Sequence, residues 1–338
     1  MSNPSLVEVT RGQLVESIHR GAVCVARATG APLLALGDCI RPVFARSSIK
    51  LIQALPLIET GATERFGFGN AEIALACGSH VGSERHVAIA RGMLERLGLD
   101  ETCLACGAAI PLGTKAALAL AATGRPPTAL HHNCSGKHAG MLASAVTMRA
   151  PVEGYNAVDH PVQEHVRRAL GELSGATVDA SVTGIDGCAV PTWALPLDTL
   201  ARMFARIATG DGLAPERRSA VARILAACWA EPELVAGPGR ADTLVMAALP
   251  GRIYMKTGAE GVYCGAIPEL GVGFALKVDD GAQRANGAAV MPLIEQLLPA
   301  ARGLVKRSVL KTPKGVEVGR IRTSPGYSQA LAGLAFAL

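Results

Sequence analysis

The chain is short of aromatic rings and of charge. Two tryptophans, four tyrosines and six phenylalanines serve 338 residues, and charged side chains make up only 18%. Lysines and arginines are scattered rather than clustered, with little aromatic interleaving, which argues against a nucleic-acid surface. The formal charge of +5 is mild. The N-terminal stretch MSNPSLVEVTRGQLVESIHR lacks the basic start and apolar run of a signal peptide. No apolar stretch reaches the length of a membrane span. These absences lead to the expectation of a cytoplasmic protein that binds neither membrane nor nucleic acid. Internal repeats and low-complexity tails are also missing.

What is present is a large apolar fraction, 49%, together with 38 glycines, enough for a sizeable core with tight turns and close backbone packing. The length suits two modest domains or one large one. Nine cysteines cannot all pair, and in a reducing compartment most are expected as thiols.

Hydrophobic periodicity gives the organisation. LVEVTRG, GAVCVARATG and PLLALGD read as strands separated by Gly, Pro and charged turns. ARSSIKLIQALPLIETGA reads as a helix with serines at its head and Pro56 inside it. Another helix is expected over SERHVAIARGMLERLG, capped by Ser83. GTKAALALAATG, GKHAGMLASAVTM, PVQEHVRRALGEL, LDTLARMFARIATG and ERRSAVARILAACWAE follow with apolar residues three or four apart. The period then changes: GRIYMKTGAEGVYCGAIPELGVGFALKVDDG reads as three antiparallel strands, and AQRANGAAVMPLIEQLLP as the final helix. The pattern is α+β rather than alternating βαβ. It predicts one unit made of a sheet-containing part, residues 1–60 and 245–338, and a mainly helical part, residues 61–244, with a site in the cleft between parts.

The clearest chemical pattern is RSSIK. Ser47 and Lys50 stand three apart, one turn of helix, so a neutral lysine can take the proton of a weak serine nucleophile. The apolar LIQALPLI that follows supplies the burial that favours a neutral amine. Ser48 is a competing hydroxyl without a lysine at that spacing. Alone, S-x-x-K is a weak pattern, and a helix cap beside a solvated lysine is the commoner cause. Lys256-Thr257-Gly258, late in the chain, strengthens it. S-x-x-K followed by K-T-G is the pairing of β-lactamases and penicillin-binding proteins. Their S-D-N element is missing, and Ser79 in CGSH offers a second serine in its place. Ser79 with Lys256 then forms a second serine–lysine couple able to move protons.

HHNCSGKHAGML is the densest run of reactive groups. Cys134, Lys137 and His138 fall on one face of a helix starting near Asn133, which looks like its cap. By spacing, a zinc site would take Cys134 and His138 first, with Cys188 of GIDGCAVP, beside Asp186, as a third ligand. The plain alternative is a set of buried thiols. That is the expectation for Cys24, Cys39, Cys77, Cys228 and Cys264, and Cys103 and Cys106 read as buried or loop thiols. His131 and His132 read as loop-orienting residues.

Taken together, RSSIKLIQALP, CGSHVGSERHV, HHNCSGKHAGML, GIDGCAVP and MKTGAEGV resemble the rhizobial-type L-asparaginases, the asparaginase II family, in that family's order. The resemblance implies a serine β-lactamase-like fold, hydrolysis of L-asparagine to L-aspartate and ammonia, and a homodimer. It implies Ser47 as nucleophile, Lys50 as its base, and Ser79 with Lys256 as the second couple. It also implies zinc on Cys134, Lys137 and Cys188, putting the lysine where spacing preferred His138. Asp186 would anchor the substrate amino group, with Arg46, His80 and Glu260 lining the site. Other small-amide hydrolases, such as a glutaminase or a β-lactam-active enzyme, stay open. So does a zinc-stabilised amino-acid-binding protein without turnover.

Overall fold

A computed structural model describes residues 2–334. The chain forms two compact units, one of Met1–Ser48, Ala194–Asp211 and Met255–Leu338, the other of Ile49–Trp193 and Gly212–Tyr254.

The first unit is built on an antiparallel sheet. Along it run Val309–Lys311, Glu317–Thr323, Ser5–Arg11, Leu14–Arg27, Val272–Val278, Val262–Ile267 and Tyr254–Thr257, with Leu34–Leu36 also paired to Leu14–Arg27. The long strand Leu14–Arg27 changes character midway. Its first half is mostly exposed and pairs with Ser5–Arg11, while Ala22–Ala26 are buried and pair with Val272–Val278. A strand apolar at consecutive positions, like this half and like Val262–Ile267, is one covered on both faces. The helix Leu197–Thr209 supplies cover, burying Leu200, Met203, Phe204 and Ile207. It approaches so closely that a Cβ on Gly273 would lie 2.1 Å from Ala201 O. This helix therefore belongs to the sheet unit, although its place in the sequence is among the helices of the middle. Periodicity declares a helix but does not say what it packs against.

Gln283–Leu297 is not the final element. Two strands, Val309–Lys311 and Glu317–Thr323, and the helix Pro325–Leu334 come after it. Glu317–Thr323 pairs with the first strand at Val7↔Thr323, Glu8↔Arg322 and Val9↔Ile321. Only its Gly319 and Ile321 are buried, too few for a hydrophobic pattern to mark a strand there. Cross-strand pairing supplies what hydropathy lacks, including Arg322 to Glu8 at 3.0 Å.

The second unit is mainly helical. The expected helix from Arg46 onward is broken into a 3₁₀ turn Arg46–Ile49 and the helices Lys50–Gln53 and Leu55–Glu59, with Pro56 in the first turn of the latter, where its missing N–H costs nothing. At the centre lies Ser135–Thr147, buried continuously from Ser135 to Ala145. A helix buried all round needs small residues where neighbours cross it. At Gly136 a Cβ would sit 2.6 Å from Leu75 O, on the helix Asn70–Ala76. Away from this contact, Glu59 ties three helices, accepting from His165 Nε2 at 2.6 Å and from Arg217 Nε. Burial would raise the Glu59 carboxyl, but its bonds to His165 and Arg217 prevail and hold it below the usual carboxylate range. Thr183–Ile185 pairs with Pro191–Trp193, and the turn between them carries Asp186 and Cys188. Among the described residues, no helix is long and apolar enough to cross a membrane.

Candidate active site

In the second unit, Lys50 opens its helix with a fully buried amine. Lys50 Nζ bonds to Gly78 O, to Ser79 Oγ at 3.0 Å and to Cys134 Sγ at 3.2 Å. The structure thus brings together three residues far apart in sequence. Ser79 follows the helix Asn70–Ala76, and its N–H donates to Val235 O at 2.8 Å. Cys134 is the N-cap of Ser135–Thr147, the role expected of Asn133. The histidines before it shape the loop: Thr128 N–H donates to His131 Nδ1 at 3.1 Å, and Cys134 N–H to His132 Nδ1 at 3.0 Å.

The two cysteines of the sequence motifs meet here. Cys188 sits in a turn closed by Ala189 N to Asp186 O and Asp186 N to Val190 O, each 2.8 Å. Lys137 Nζ lies 3.0 Å from Cys188 Sγ. The Cys188 hydrogen bond, with Lys50 and Lys137 nearby, holds the Cys134 thiol far below its ordinary range despite burial. Its bond to Cys134 and burial push Cys188 up. Burial opposes a charged Lys137, but the Cys134 and Cys188 sulfurs outweigh it and raise its amine.

His138, the ligand favoured by spacing, is engaged elsewhere. Its Nδ1 is 2.5 Å from Tyr155 OH, Nε2 has no hydrogen-bond partner, and burial holds the ring neutral. Among the described residues no three His, Cys, Asp or Glu side chains could hold a metal together. A metal here therefore needs the lysine nitrogen. Cys134, Cys188 and Lys137 offer two sulfurs and one nitrogen, donors that suit a borderline-soft cation such as zinc once the Lys137 amine gives up the proton it shares with Cys188.

In the first unit, the two hydroxyls of RSSIK part company. Ser48 is fully buried and its Oγ donates to Ala45 O at 2.6 Å. Ser47 is half-buried, preceded by Arg46 at φ +51°. The K-T-G segment runs alongside: a Cβ on Gly258 would lie 3.0 Å from Ala45 O and 3.3 Å from Ser48 N. Lys256 is fully buried with Nζ donating to Thr257 O at 2.8 Å. Thr257 Oγ1 accepts from Asn286 Nδ2 at 3.1 Å. Asn286, bonded to Thr257, and in the second unit Ser135, bonded to His80, are buried polar residues that carried no signal in sequence spacing. Glu260 adopts φ +59°, and its carbonyl accepts from Lys277 Nζ at 2.6 Å. In this unit Arg46 and Glu260 are the non-glycine residues with positive φ among those described. Left-handed backbone at side-chain-bearing residues is costly and gathers at functional sites.

A family model described as L-asparaginase II matches residues 7–323. No curated protein sequence matches the chain. Among solved structures, one of Mglu in its native form is 16% identical, with 84% of this chain aligned to 63% of that one and a TM-score of 0.41. This chain thus spans less than two thirds of that protein's length. A putative β-lactamase from Bacteroides dorei DSM 17855 is 15% identical over 94% of this chain and 93% of that one, with a TM-score of 0.42. A β-lactamase from Mycobacterium bovis, Mb2281c, is 13% identical over 78% and 88%, with a TM-score of 0.34. None reaches a TM-score of 0.5, and the α+β architecture above rests on the sheet and helices themselves. The family match covers nearly the whole chain, including every motif of the candidate site, and on it the chain belongs to the L-asparaginase II family.

Proposed function

We propose that the chain hydrolyses L-asparagine to L-aspartate and ammonia through Ser47. Family membership supports the reaction, and the observation that carries the residue assignment is the contrast between Ser48, spent on Ala45 O, and the accessible Ser47. Ser47 Oγ attacks the side-chain carboxamide carbon, with Lys50 as the base that takes its proton. The C–N bond then breaks, the nitrogen leaves as ammonia after gaining a proton, and an aspartyl ester remains on Ser47. Water adds to that ester, the C–O bond breaks, and aspartate departs as Ser47 recovers its proton. Ser79 and Lys256 act as the second couple, passing protons to the leaving nitrogen. Asp186 pairs with the substrate ammonium, and Arg46 and Glu260 line the site. Zinc held by Cys134, Lys137 and Cys188 would supply a Lewis-acid contact for the substrate carboxylate.

The same reading includes a homodimer in the cytoplasm, which light scattering and fractionation test. Ammonia release from L-asparagine and L-glutamine, by the natural protein and by Ser47→Ala, tests the chemistry. Turnover of asparagine that falls at least a thousandfold in Ser47→Ala is expected, on the scale of losing a nucleophile. Release from neither amide removes the enzyme assignment. Equal turnover of both makes the activity a broader amidase, since one methylene gives only about 10–200-fold selectivity in an apolar pocket.

A further inference from the structure

His80 stands next to the second serine, yet neither of its ring nitrogens is free for a ligand. The side chain is fully buried. Gly82 N–H donates to Nδ1 at 3.1 Å, so Nδ1 presents its lone pair and the ring proton sits on Nε2. That N–H faces Ser135 Oγ at 2.9 Å. Behind it His86 is stacked at 4.8 Å and 11°, itself fixed by Ser83 N–H on Nδ1 and by Glu233 O on Nε2. Backbone bonds run with the side-chain bond: His80 N–H donates to Asn133 O at 3.2 Å, and Ser79 N–H to Val235 O at 2.8 Å. The His80–Ser135 bond therefore joins the residue after Ser79 to the residue after Cys134. Those are the two side chains that Lys50 Nζ contacts at 3.0 and 3.2 Å.

We infer that His80 is a positioning residue, which through Ser135 fixes Ser79 and Cys134 at their distances from the Lys50 amine, and is not a substrate contact. This rests on the reading that Ser79 serves the reaction. A pin of this kind governs the rate of the chemical step more than substrate affinity, because small displacements of reacting groups are expensive in kcat.

Steady-state kinetics on asparagine for Ser135→Ala, His80→Asn, His80→Gln, Ser79→Ala and the Ser135→Ala/His80→Asn double variant test it. Asparagine at position 80 cannot reach Ser135, whereas glutamine places an N–H close to the Nε2 position. Ser135→Ala and His80→Asn are expected to lower kcat about tenfold or more, with KM within about threefold. The double variant should be no slower than the worse single one, as for two ends of one bond. His80→Gln should recover most of the loss. If His80→Asn does not fold, Ser135→Ala alone removes the same bond. A raised KM at unchanged kcat in His80→Asn or Ser135→Ala overturns the proposal, as do additive losses in the double variant. Full turnover in Ser79→Ala overturns the role of Ser79 and this proposal with it. Loss in Ser79→Ala beside natural kcat in Ser135→Ala and His80→Asn overturns the positioning role alone.

Discussion

Ser48 Oγ donates to Ala45 O at 2.6 Å inside the first unit, while Ser47, one residue earlier, is only partly buried. Sequence spacing had separated them only by the lysine three positions on. Removing the Ser48 hydroxyl should cost about 0.5–1.5 kcal/mol, the net worth of one neutral hydrogen bond. Ser48→Ala is therefore expected to fold, with a slightly lower melting temperature and asparagine turnover within a fewfold of the natural protein. Turnover lost as completely as in Ser47→Ala would move the nucleophile to Ser48. The same scale explains why His138 of HHNCSGKHAGML misleads while His131 and His132 keep the loop-orienting role read for them. His131 and His132 use Nδ1 as acceptors for loop N–H groups, and His138 turns to Tyr155. Side-chain counts show reactive groups, and only hydrogen bonding shows which are already occupied.

Elements of the helical unit are held by close approach and by a partly buried ion cluster. Gly136 lets Ser135–Thr147 pack on Asn70–Ala76, the helix that leads to Ser79. A Cβ there would fall 2.4 Å from Leu75 Cγ and 2.6 Å from Leu75 O, a backbone clash no rotamer relieves. Gly136→Ala should destabilise by about 1–3 kcal/mol, the usual cost of overpacking, and chemical denaturation will measure it. Glu59 supports the same unit from another side. Its folded pKa lies below the unfolded one, so the folded state binds fewer protons and stability rises with pH through the carboxylate range. The contribution is complete above the unfolded carboxylate pKa and disappears as pH falls through the folded one. Glu59→Gln should cost about 1.5–3 kcal/mol near neutral pH, as charged hydrogen bonds do. The difference from the natural protein should shrink in acid; a difference independent of pH would refute the ionic account.

For the whole molecule, the proposed zinc set makes stability depend on metal. Chelation should lower the melting temperature and zinc return should restore it, since a ligand at 100 times its Kd adds about 2.7 kcal/mol to the folded state. Cys188→Ala should abolish that recovery and the bound zinc measured by metal analysis. Unchanged stoichiometry in Cys188→Ala would remove this ligand. The paired elements of the fold behave in the same collective way. Glu317–Thr323, unmarked by a hydrophobic pattern in sequence, becomes part of the sheet only because the first strand lies beside it.

Local order was legible from residues alone. Alternation and helical periodicity placed the strand Ser5–Arg11, the buried half of Leu14–Arg27, Leu34–Leu36, the helices Glu84–Arg96 and Pro161–Ser174, and the strands from Tyr254 to Val278. Their hydrophobic pattern is strong, and Gly or Pro marks their ends. Motif order likewise pointed to the family that the match over residues 7–323 shows. Tertiary structure alone decided the rest, for one reason: burial and bonding partners belong to pairs of segments, and a single segment cannot state them. It brought Lys50, Ser79 and Cys134 to one buried amine, set Lys137 rather than His138 against Cys188, and gave the helix Leu197–Thr209 to the sheet.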